Sequence, residues 1–480
     1  MLNKYSYLKL SLLYSALAAL PPVIQLFTQP IIEGVDKLSA ADFSRIGIAE
    51  QVTTLAFTII VFSMHAAISR FYYDNNESKV DYNKLVSGTY ISILFRGIIM
   101  LLAVFVLRNY IGNLFSQPEL KDFSSYGFAS VVIGINRAIF FTATALFRNE
   151  KRIKAFVGVN IALAIIRAGF QVAGVLLWDM SFLGYVHGSA IGGSIVSVYI
   201  LFKIFRQSGF IYDREFMKPI FRFAFPLVQY GLISWALFFV DKYFMESNPV
   251  KLGIYITVMN FANGIMLIIQ GIQAATQPEV FLYMKKGIQK HSAEIRSLGN
   301  MLMAQTQLVI ALAIIPTIAY FHLFFETDIK LAATYVSIIY IRFIPRSQYF
   351  VYSFAIFYEK KTKFLFLINT INLFIAIWLN YLLIPILNIY GAVIALLVSE
   401  LIQMLGVFIY SRKTIPIQWN LSKTLYIPLV SLVLIIAVEI VKQFFVVNVY
   451  LSGALATLVI FGGLLVAYRN EFKKLINRFV

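Results

Sequence analysis

Five arginine side chains could bind an anion, because each lies near the middle of a long apolar run: Arg96, Arg137, Arg167, Arg342 and Arg346. An arginine at the centre of a bilayer costs about 2.5–3.5 kcal/mol on insertion scales, and embedded charges rarely face lipid. They either line a polar cavity or pair with a carboxylate or a freed backbone carbonyl. The five arginines are therefore our candidate substrate-binding residues, in a cavity with cationic walls.

Acidic residues at similar depth are fewer. Glu400 lies in mid-run, whereas Asp241, Glu50 and Glu439 lie nearer the ends of their runs, and Glu439 can pair with Lys442 one turn later. We therefore expect the carboxylates to be too few to neutralise the arginines, and most of the arginines to line the cavity.

Arg342 and Arg346 are four residues apart and share one helix face, with Pro345 between them. Proline removes a backbone hydrogen bond, and broken helices at mid-depth are tolerated where they line a water-filled cavity. A guanidinium fork matches the oxygens of phosphate or carboxylate. The pattern predicts a translocation chamber for an anionic substrate.

Other embedded polar residues give weaker signals. Four amides are candidates for the polar lining of the cavity: Gln229, Asn260, Asn263 and Gln273. Hydrogen bonding between helices would use the same groups. Three residues are candidates for coupling to protons or sodium, each with an ordinary structural alternative: Asp241, Glu400 and His65. Transport could instead draw directly on the membrane potential.

Cysteine is absent and the four histidines are scattered, so we expect no disulfide, no metal site and no cofactor. The chain has 41 Lys and Arg against 23 Asp and Glu. In a soluble protein that excess would suggest nucleic acid, but here membrane topology accounts for most of it, and we expect no nucleic-acid partner.

The composition requires a membrane to position these residues. Hydrophobic residues make up 60% of the 480 and charged residues 13%, against about 25% charged in soluble domains. A spanning helix needs about 20 apolar residues. We predict an all-α polytopic membrane protein of about fourteen spans, at residues 8–30, 46–69, 85–107, 124–147, 155–177, 184–205, 219–241, 252–275, 299–321, 332–356, 364–384, 388–411, 425–446 and 450–468.

The basic residues between these spans predict the orientation. With a cytoplasmic N-terminus, 28 Lys and Arg lie on the cytoplasmic side and 8 on the other. Cytoplasmic loops carry an excess of Lys and Arg. We therefore expect both termini in the cytoplasm, with Met1–Lys9 leading into the first span rather than into a cleaved signal peptide. The connections are too short for a soluble catalytic domain.

A weak internal duplication predicts the domains. Gly47-Ile48 opens the second span as Gly253-Ile254 opens the eighth, and the phrases 65–72 and 273–281 end those spans similarly. Such repeats are typical of transporters. We expect two six-helix lobes around a central cavity, at 1–210 and 211–413, and a C-terminal helix pair with a cytoplasmic tail at 414–480.

Three stretches carry a resemblance to a known family. They are Phe225-Pro-Leu-Val with Asp241-Lys-Tyr-Phe and Gly253-Ile-Tyr-Ile, then Ser69-Arg-Phe-Tyr-Tyr73, and the basic loop Arg148–Lys154. Over spans one to twelve the chain resembles the polysaccharide flippases of the MOP superfamily, the Wzx type. The two further helices depart from a twelve-helix plan. The related lipid II flippase has fourteen helices, and its last pair forms a groove for the lipid tail.

The resemblance implies a flippase that moves a polyprenyl-pyrophosphate-linked oligosaccharide from the cytoplasmic to the outer leaflet by alternating access. It implies a bacterial inner-membrane location, as in O-antigen synthesis. The partners would be a lipid-linked anionic saccharide, membrane lipids and a glycan polymerase or assembly machinery. Only the cationic cavity is carried over, because arginine positions vary in that family. The alternatives are a lipid II flippase, a MATE-like multidrug antiporter and a membrane-embedded glycosyltransferase or polymerase.

Overall fold

The computed structural model describes residues 23–75, 77–178, 180–359, 361, 363–445, 447–469 and 471. The predicted N-terminal segment and most of the first span, up to residue 22, lie outside this part of the chain, as does the Lys473–Lys474 tail. The described residues are mostly helical, and their single β pairing is an isolated bridge between Glu33 and Leu38. The predicted all-α class is confirmed.

The first helices follow the predicted runs closely. In chain order they are α1 (Val23–Ile32), α2 (Ala40–Val61), α3 (Met64–Asn75), α4 (Lys79–Gly112), α5 (Pro118–Lys121), α6 (Phe123–Asn149), α7 (Ile153–Leu176), α8 (Ser181–Ser208) and α9 (Arg214–Met245). Side chains cap several of their starts. Ser39 and Asp42 form a capping box at α2, and Asp213 accepts the Phe216 N–H at α9, which satisfies backbone donors that a helix start leaves free.

The remaining helices are α10 (Pro249–Lys285), α11 (Ser292–Phe324), a 3₁₀ helix (Asp328–Tyr335), α12 (Val336–Tyr340), α13 (Phe343–Tyr358), α14 (Lys363–Leu387), α15 (Ile389–Thr414), a π turn (Ser422–Tyr426), α16 (Ile427–Phe444) and α17 (Val449–Ala467).

Twelve helical segments of the described residues are long and apolar enough to cross a membrane. They correspond to the second to ninth and eleventh to fourteenth predicted spans, with α2 and α3 together forming the second. The first predicted span is described only from Val23, and the tenth is broken into segments that are each too short to count. The chain is a multi-pass membrane protein, and about fourteen spans remains an approximate number.

The chain forms two compact units, one up to Gly253 and one from Ile254 onward. In the first unit α6 is the central helix and packs against α2, α3, α4 and α8. In the second unit α11 packs against α13 and α17, and α15 packs against α13 and α14. The division of the chain at residues 210 and 413 stays a prediction.

The second span is interrupted between α2 and α3. Phe62 and Ser63 have φ of 45° and 54°, in the left-handed region. This conformation costs a residue with a side chain roughly 1–2 kcal/mol. This break was not predicted, because neither a proline nor a glycine is present there.

The tenth span breaks where Pro345 predicts it. Pro345 lies in the first turn of α13, the helix position that tolerates a residue without an N–H. The carbonyl of Ile341 accepts from the Ile344 N–H at 3.0 Å instead. Arg342 therefore lies at the N-cap of α13, at the break itself.

Candidate functional site

The first unit contains a bidentate ion pair between Glu50 of α2 and Arg137 of α6. Nη1 and Nη2 of Arg137 donate to Oε1 and Oε2 of Glu50 at 2.5 and 2.7 Å. The Glu50 side chain is 41% exposed and that of Arg137 is 21% exposed, so the pair is reachable from open space. A fork of this kind is a strong charge-assisted contact.

A glycine brings these two helices together. Gly134 lies one turn before Arg137 on α6, and a β-carbon there would come within 3.0 Å of the Ala56 side chain and of the Phe57 N–H nitrogen on α2. Small residues allow membrane helices to approach closely. The close approach holds α2 and α6 side by side one to two turns from the ion pair.

Arg167 of α7 lies within electrostatic reach of Arg137, Glu50 and Tyr185. Its Nε is buried and has no hydrogen-bond partner among the described residues. Tyr185 of α8 accepts a hydrogen bond from Gln25 of α1 at 3.0 Å. We call Gln25, Glu50, Arg137, Arg167 and Tyr185 the first-unit cluster, which carries two positive charges and one negative charge.

Glycines on α8 set the position of Arg167. Gly184, Gly188 and Gly192 recur at intervals of four and so share one helix face. A β-carbon at Gly188 would lie 2.1 Å from the Phe170 carbonyl oxygen, and one at Gly192 would lie 2.9 Å from the Arg167 α-carbon. Only glycine permits this contact, which fixes α7, the helix of Arg167, against α8, the helix of Tyr185.

Arg96 of α4 has a different environment. Its Nε donates to the Ile60 carbonyl oxygen at 2.8 Å. That carbonyl lies in the last turn of α2, where the break before α3 removes its helical donor. The guanidinium also lies 5.1 Å from the Phe62 ring centroid and 5.6 Å from that of Phe221. Arg96 therefore stabilises the end of α2 at the break by supplying a donor to the Ile60 carbonyl.

In the second unit Arg342 pairs with Glu400 of α15. Nη2 of Arg342 lies 3.2 Å from Oε1 of Glu400, and the two side chains are only 7% and 9% exposed. Oε2 of Glu400 and Nε of Arg342 are buried with no hydrogen-bond partner in the described residues. The two charges neutralise each other, but one nitrogen of Arg342 and one oxygen of Glu400 still lack a hydrogen-bond partner in the described residues.

Arg346 lies one turn further along α13 and donates to the first of two hydrogen-bonded side-chain amides, Gln403 and Asn369. Its Nη1 donates to Oε1 of Gln403 at 3.1 Å, and Nε2 of Gln403 donates to Oδ1 of Asn369. Its guanidinium lies 5.0 Å from the Tyr349 ring centroid and 5.4 Å from that of Phe350. The arginine is oriented by neutral groups and aromatic rings, so its charge is not offset there by a carboxylate.

The expectation that carboxylates are too few was wrong for Arg137 and Arg342, because Glu50 and Glu400 pair with them. Arg96 instead follows the alternative named in the sequence analysis, because it binds a freed backbone carbonyl, that of Ile60. Sequence distance hid these partners, since Glu50 and Arg137 are 87 residues apart. Gln403 could have been found, because it follows Glu400 by three residues and so shares its helix face.

The predicted lining amides lie on α9 and α10. Gln229, Asn260 and Asn263 are exposed and Gln273 is half-buried. Exposure of these amides in otherwise apolar helices is consistent with a polar cavity, and their role as its lining stays a prediction.

The three candidate coupling residues have different surroundings. Asp241 is buried and accepts from the Lys242 N–H at 2.8 Å and from its Nζ at 3.1 Å. His65 packs edge-on against Phe141, and its Nδ1 is buried without a partner in the described residues. Glu400 is the member that contacts a candidate arginine. The described residues contain no group of three or more His, Asp or Glu that could hold a metal ion.

One pocket was not predicted. It lies at the start of α9, has a volume of about 520 Å³ and is lined by Lys218, Pro219, Arg222 and Phe223. The two cations are four residues apart in the sequence, at the start of the seventh predicted span. Their shared helix face was the signal for a basic pocket.

Comparison with known proteins gives a family and a fold. A family model described as "Polysaccharide biosynthesis protein" matches residues 23–281, more than half of the chain. No curated protein matches the chain significantly.

Three similar solved structures have the same fold. The lipid II flippase MurJ in an inward closed conformation has a TM-score of 0.69 and 15% identity, over 96% of this chain and 99% of that one. An inward-facing multidrug resistance MATE transporter of the MOP superfamily has a TM-score of 0.65 and 13% identity, over 82% and 94%. A MOP-superfamily transporter from Pyrococcus furiosus has a TM-score of 0.58 and 13% identity, over 84% and 94%. The predicted resemblance is confirmed for the polysaccharide family by the family model, and for the fold by these solved structures.

Proposed function

The chain belongs to the polysaccharide biosynthesis protein family, and on that premise we propose that it is a flippase for a polyprenyl-pyrophosphate-linked oligosaccharide. The lipid-linked saccharide would pass from the cytoplasmic to the outer leaflet by alternating access. A transporter is favoured over an enzyme because the solved proteins that share its fold are described as transporters or flippases.

The observation that carries the proposal is the surplus cation of the first-unit cluster. Arg167 lies beside the Glu50–Arg137 pair, yet its buried Nε has no acceptor among the described residues. A buried nitrogen of a guanidinium that lacks an acceptor is costly. A pyrophosphate supplies several anionic oxygens, so it satisfies this group and competes with Glu50 for Arg137.

Arg346 supports the same chemistry in the second unit. Gln403 and two aromatic rings orient it without neutralising its charge. An oriented guanidinium loses less entropy when it binds a phosphate or a sugar carboxylate. Each unit therefore offers a preformed cation to an anionic substrate.

A lipid II flippase is the second candidate, because the likeness to that flippase extends over 96% of this chain. Complementation separates the two functions. A strain depleted of its lipid II flippase would be rescued by this chain only if lipid II is the substrate.

The direct test is flipping of labelled polyprenyl-pyrophosphate oligosaccharide in proteoliposomes. The wild-type protein is expected to expose the label to the outside, and Arg167→Gln is expected to abolish this. Arg70→Gln is the matched control, because Arg70 pairs with Asp74 in an exposed i,i+4 contact and is not a member of the cluster. Normal flipping by Arg167→Gln would contradict the proposed site.

The location and the coupling belong to the same proposal. We place the protein in a bacterial inner membrane with both termini in the cytoplasm, because of the basic loops. The chain has no cysteine, so single introduced cysteines can be labelled from one side to test this orientation. Protons, sodium or the membrane potential would drive transport, and a glycan polymerase would receive the product.

A further inference from the structure

Helix α10 carries five amide side chains that are not buried. Asn260, Asn263 and Gln270 are exposed, and Gln273 and Gln277 are half-buried. We call these five residues the amide ladder. Its members follow each other at spacings of three, seven, three and four residues, so they lie along one face of the helix.

The ladder is nearly as long as a membrane is thick. From Asn260 to Gln277 the helix rises about 26 Å at 1.5 Å per residue, against a hydrocarbon core of about 30 Å. The helix is apolar enough to span a membrane. A face with an amide at almost every turn is therefore poorly suited to contact lipid, and a water-filled path is its natural environment.

The amides are largely unused by the protein. Within the described residues, Asn260, Asn263 and Gln270 have no recorded side-chain hydrogen bond, and Gln273 donates only a long bond of 3.5 Å to Gln277. Gly264 and Gly271 lie beside the ladder, and no other atom lies within 4 Å of where their β-carbons would be. The face has both free hydrogen-bonding groups and space next to them.

The chemistry of the ladder specifies its ligand. No charged residue occurs between Lys251 and Glu279, so the face offers neutral donors and acceptors only. Amides match the hydroxyls of a sugar, and water can replace each contact at little cost, which suits a moving ligand. Resting on the flippase function proposed above, we propose that the amide ladder binds the uncharged hydroxyl face of the glycan during translocation.

The experiment uses two probes in proteoliposomes: polyprenyl pyrophosphate bearing a neutral oligosaccharide, and polyprenyl pyrophosphate without sugar. The variant is Asn263→Leu combined with Gln270→Met, which keeps side-chain size and removes the amides. We expect it to move the glycan-bearing lipid about tenfold more slowly, as for the loss of two hydrogen bonds, and the bare lipid at the wild-type rate.

Two controls make the result specific. Leu267→Ala alters an exposed apolar residue of the same face, and is expected to leave both rates unchanged. Gln270→Asn retains an amide, and is expected to keep most of the glycan-dependent rate. Equal slowing of both lipids by the double variant would overturn the proposal, since the amides would then act between helices. No slowing of either lipid would overturn it as well.

A binding measurement separates this proposal from the flippase proposal. Water-soluble neutral oligosaccharide is titrated into the purified full-length protein, wild type and double variant. If the wild type moves neither lipid but binds the oligosaccharide, and the double variant does not, the flippase function fails and the ladder stands. If the wild type flips the glycan-bearing lipid and both proteins bind the sugar equally, the ladder fails and the flippase function stands.

Discussion

Arg137 donates two hydrogen bonds to Glu50, from Nη1 to Oε1 at 2.5 Å and from Nη2 to Oε2 at 2.7 Å. Arg167 interacts electrostatically with both residues. Under the function proposed above, a substrate phosphate would displace this carboxylate from Arg137. Such an internal counter-ion keeps an empty site stable and yields to a stronger anion.

Replacing Glu50 with Gln should destabilise the empty protein and strengthen its binding of anions. Breaking a buried pair costs about 3–5 kcal/mol and breaking an exposed pair about 0–1 kcal/mol. With Glu50 41% exposed, we expect a loss between these limits. Thermal unfolding in detergent measures it, and added pyrophosphate should restore stability. Asp74→Asn, in the exposed pair with Arg70, is the control and should change little. Absence of rescue by pyrophosphate would show that Glu50 is not a displaceable counter-ion.

Arg167 should tolerate replacement structurally but not functionally. Because no carboxylate is paired with it in the described residues, Arg167→Gln is expected to leave the melting temperature within a few degrees of wild type. Flipping of the lipid-linked saccharide should be lost. Arg167→Lys keeps the charge without the fork and should show an intermediate rate. A strongly destabilised Arg167→Gln would indicate a structural role.

Arg96 should behave in the opposite way. Its contacts are the Ile60 carbonyl and two aromatic rings, so a lysine can reproduce most of them. We expect Arg96→Lys to retain both stability and flipping, whereas Arg96→Met should lower the melting temperature. Loss of flipping by a stable Arg96→Lys would place Arg96 on the substrate instead.

The Arg342–Glu400 pair allows a double-mutant cycle. Each single replacement, Arg342→Met or Glu400→Leu, leaves one buried charge and should cost about 3–5 kcal/mol. The double variant removes both charges and should recover much of that stability. Flipping should stay lost in the double variant if Arg342 contacts the substrate. Recovery of both stability and flipping would assign the pair a purely structural role.

The left-handed backbone at Ser63 gives a prediction about the break itself. With φ of 54°, Ser63 occupies a conformation that glycine adopts freely. Ser63→Gly should raise the free energy of unfolding by up to about 1 kcal/mol, and Ser63→Val should lower it. Thermal unfolding checks both. The reverse order would mean that the second span is continuous in the membrane.

The spans could be predicted because each needs about 20 apolar residues in sequence, a local property. Pro345 also predicted the break in the tenth span, since the missing N–H is read directly from the residue type. The break at Phe62 and Ser63 could not be predicted in this way. Both residues tolerate a helix, and the carbonyl that the break frees, that of Ile60, is bound by Arg96, 36 residues further along.

The candidate site was predicted in its residues but not in its partners. The depth of Arg137 and Arg342 follows from counting along an apolar run. Which acid each one meets depends on helix packing, and here on Gly134, whose missing side chain brings α2 against α6. Tyr185 and Gln25 gave no signal, because a lone tyrosine or glutamine in a span is common.

The break between α2 and α3 has a consequence for how the protein responds to salt. The Arg96 guanidinium contacts the Ile60 carbonyl oxygen and two phenylalanine rings. Contacts of this kind, away from bulk solvent, are little affected by dissolved ions. Salt is therefore expected to weaken the contacts of the basic loops and to leave the Arg96 contacts unchanged. A continuous helix through α2 and α3 would require Arg96 to release the Ile60 carbonyl first. The break is therefore a stable feature of the fold.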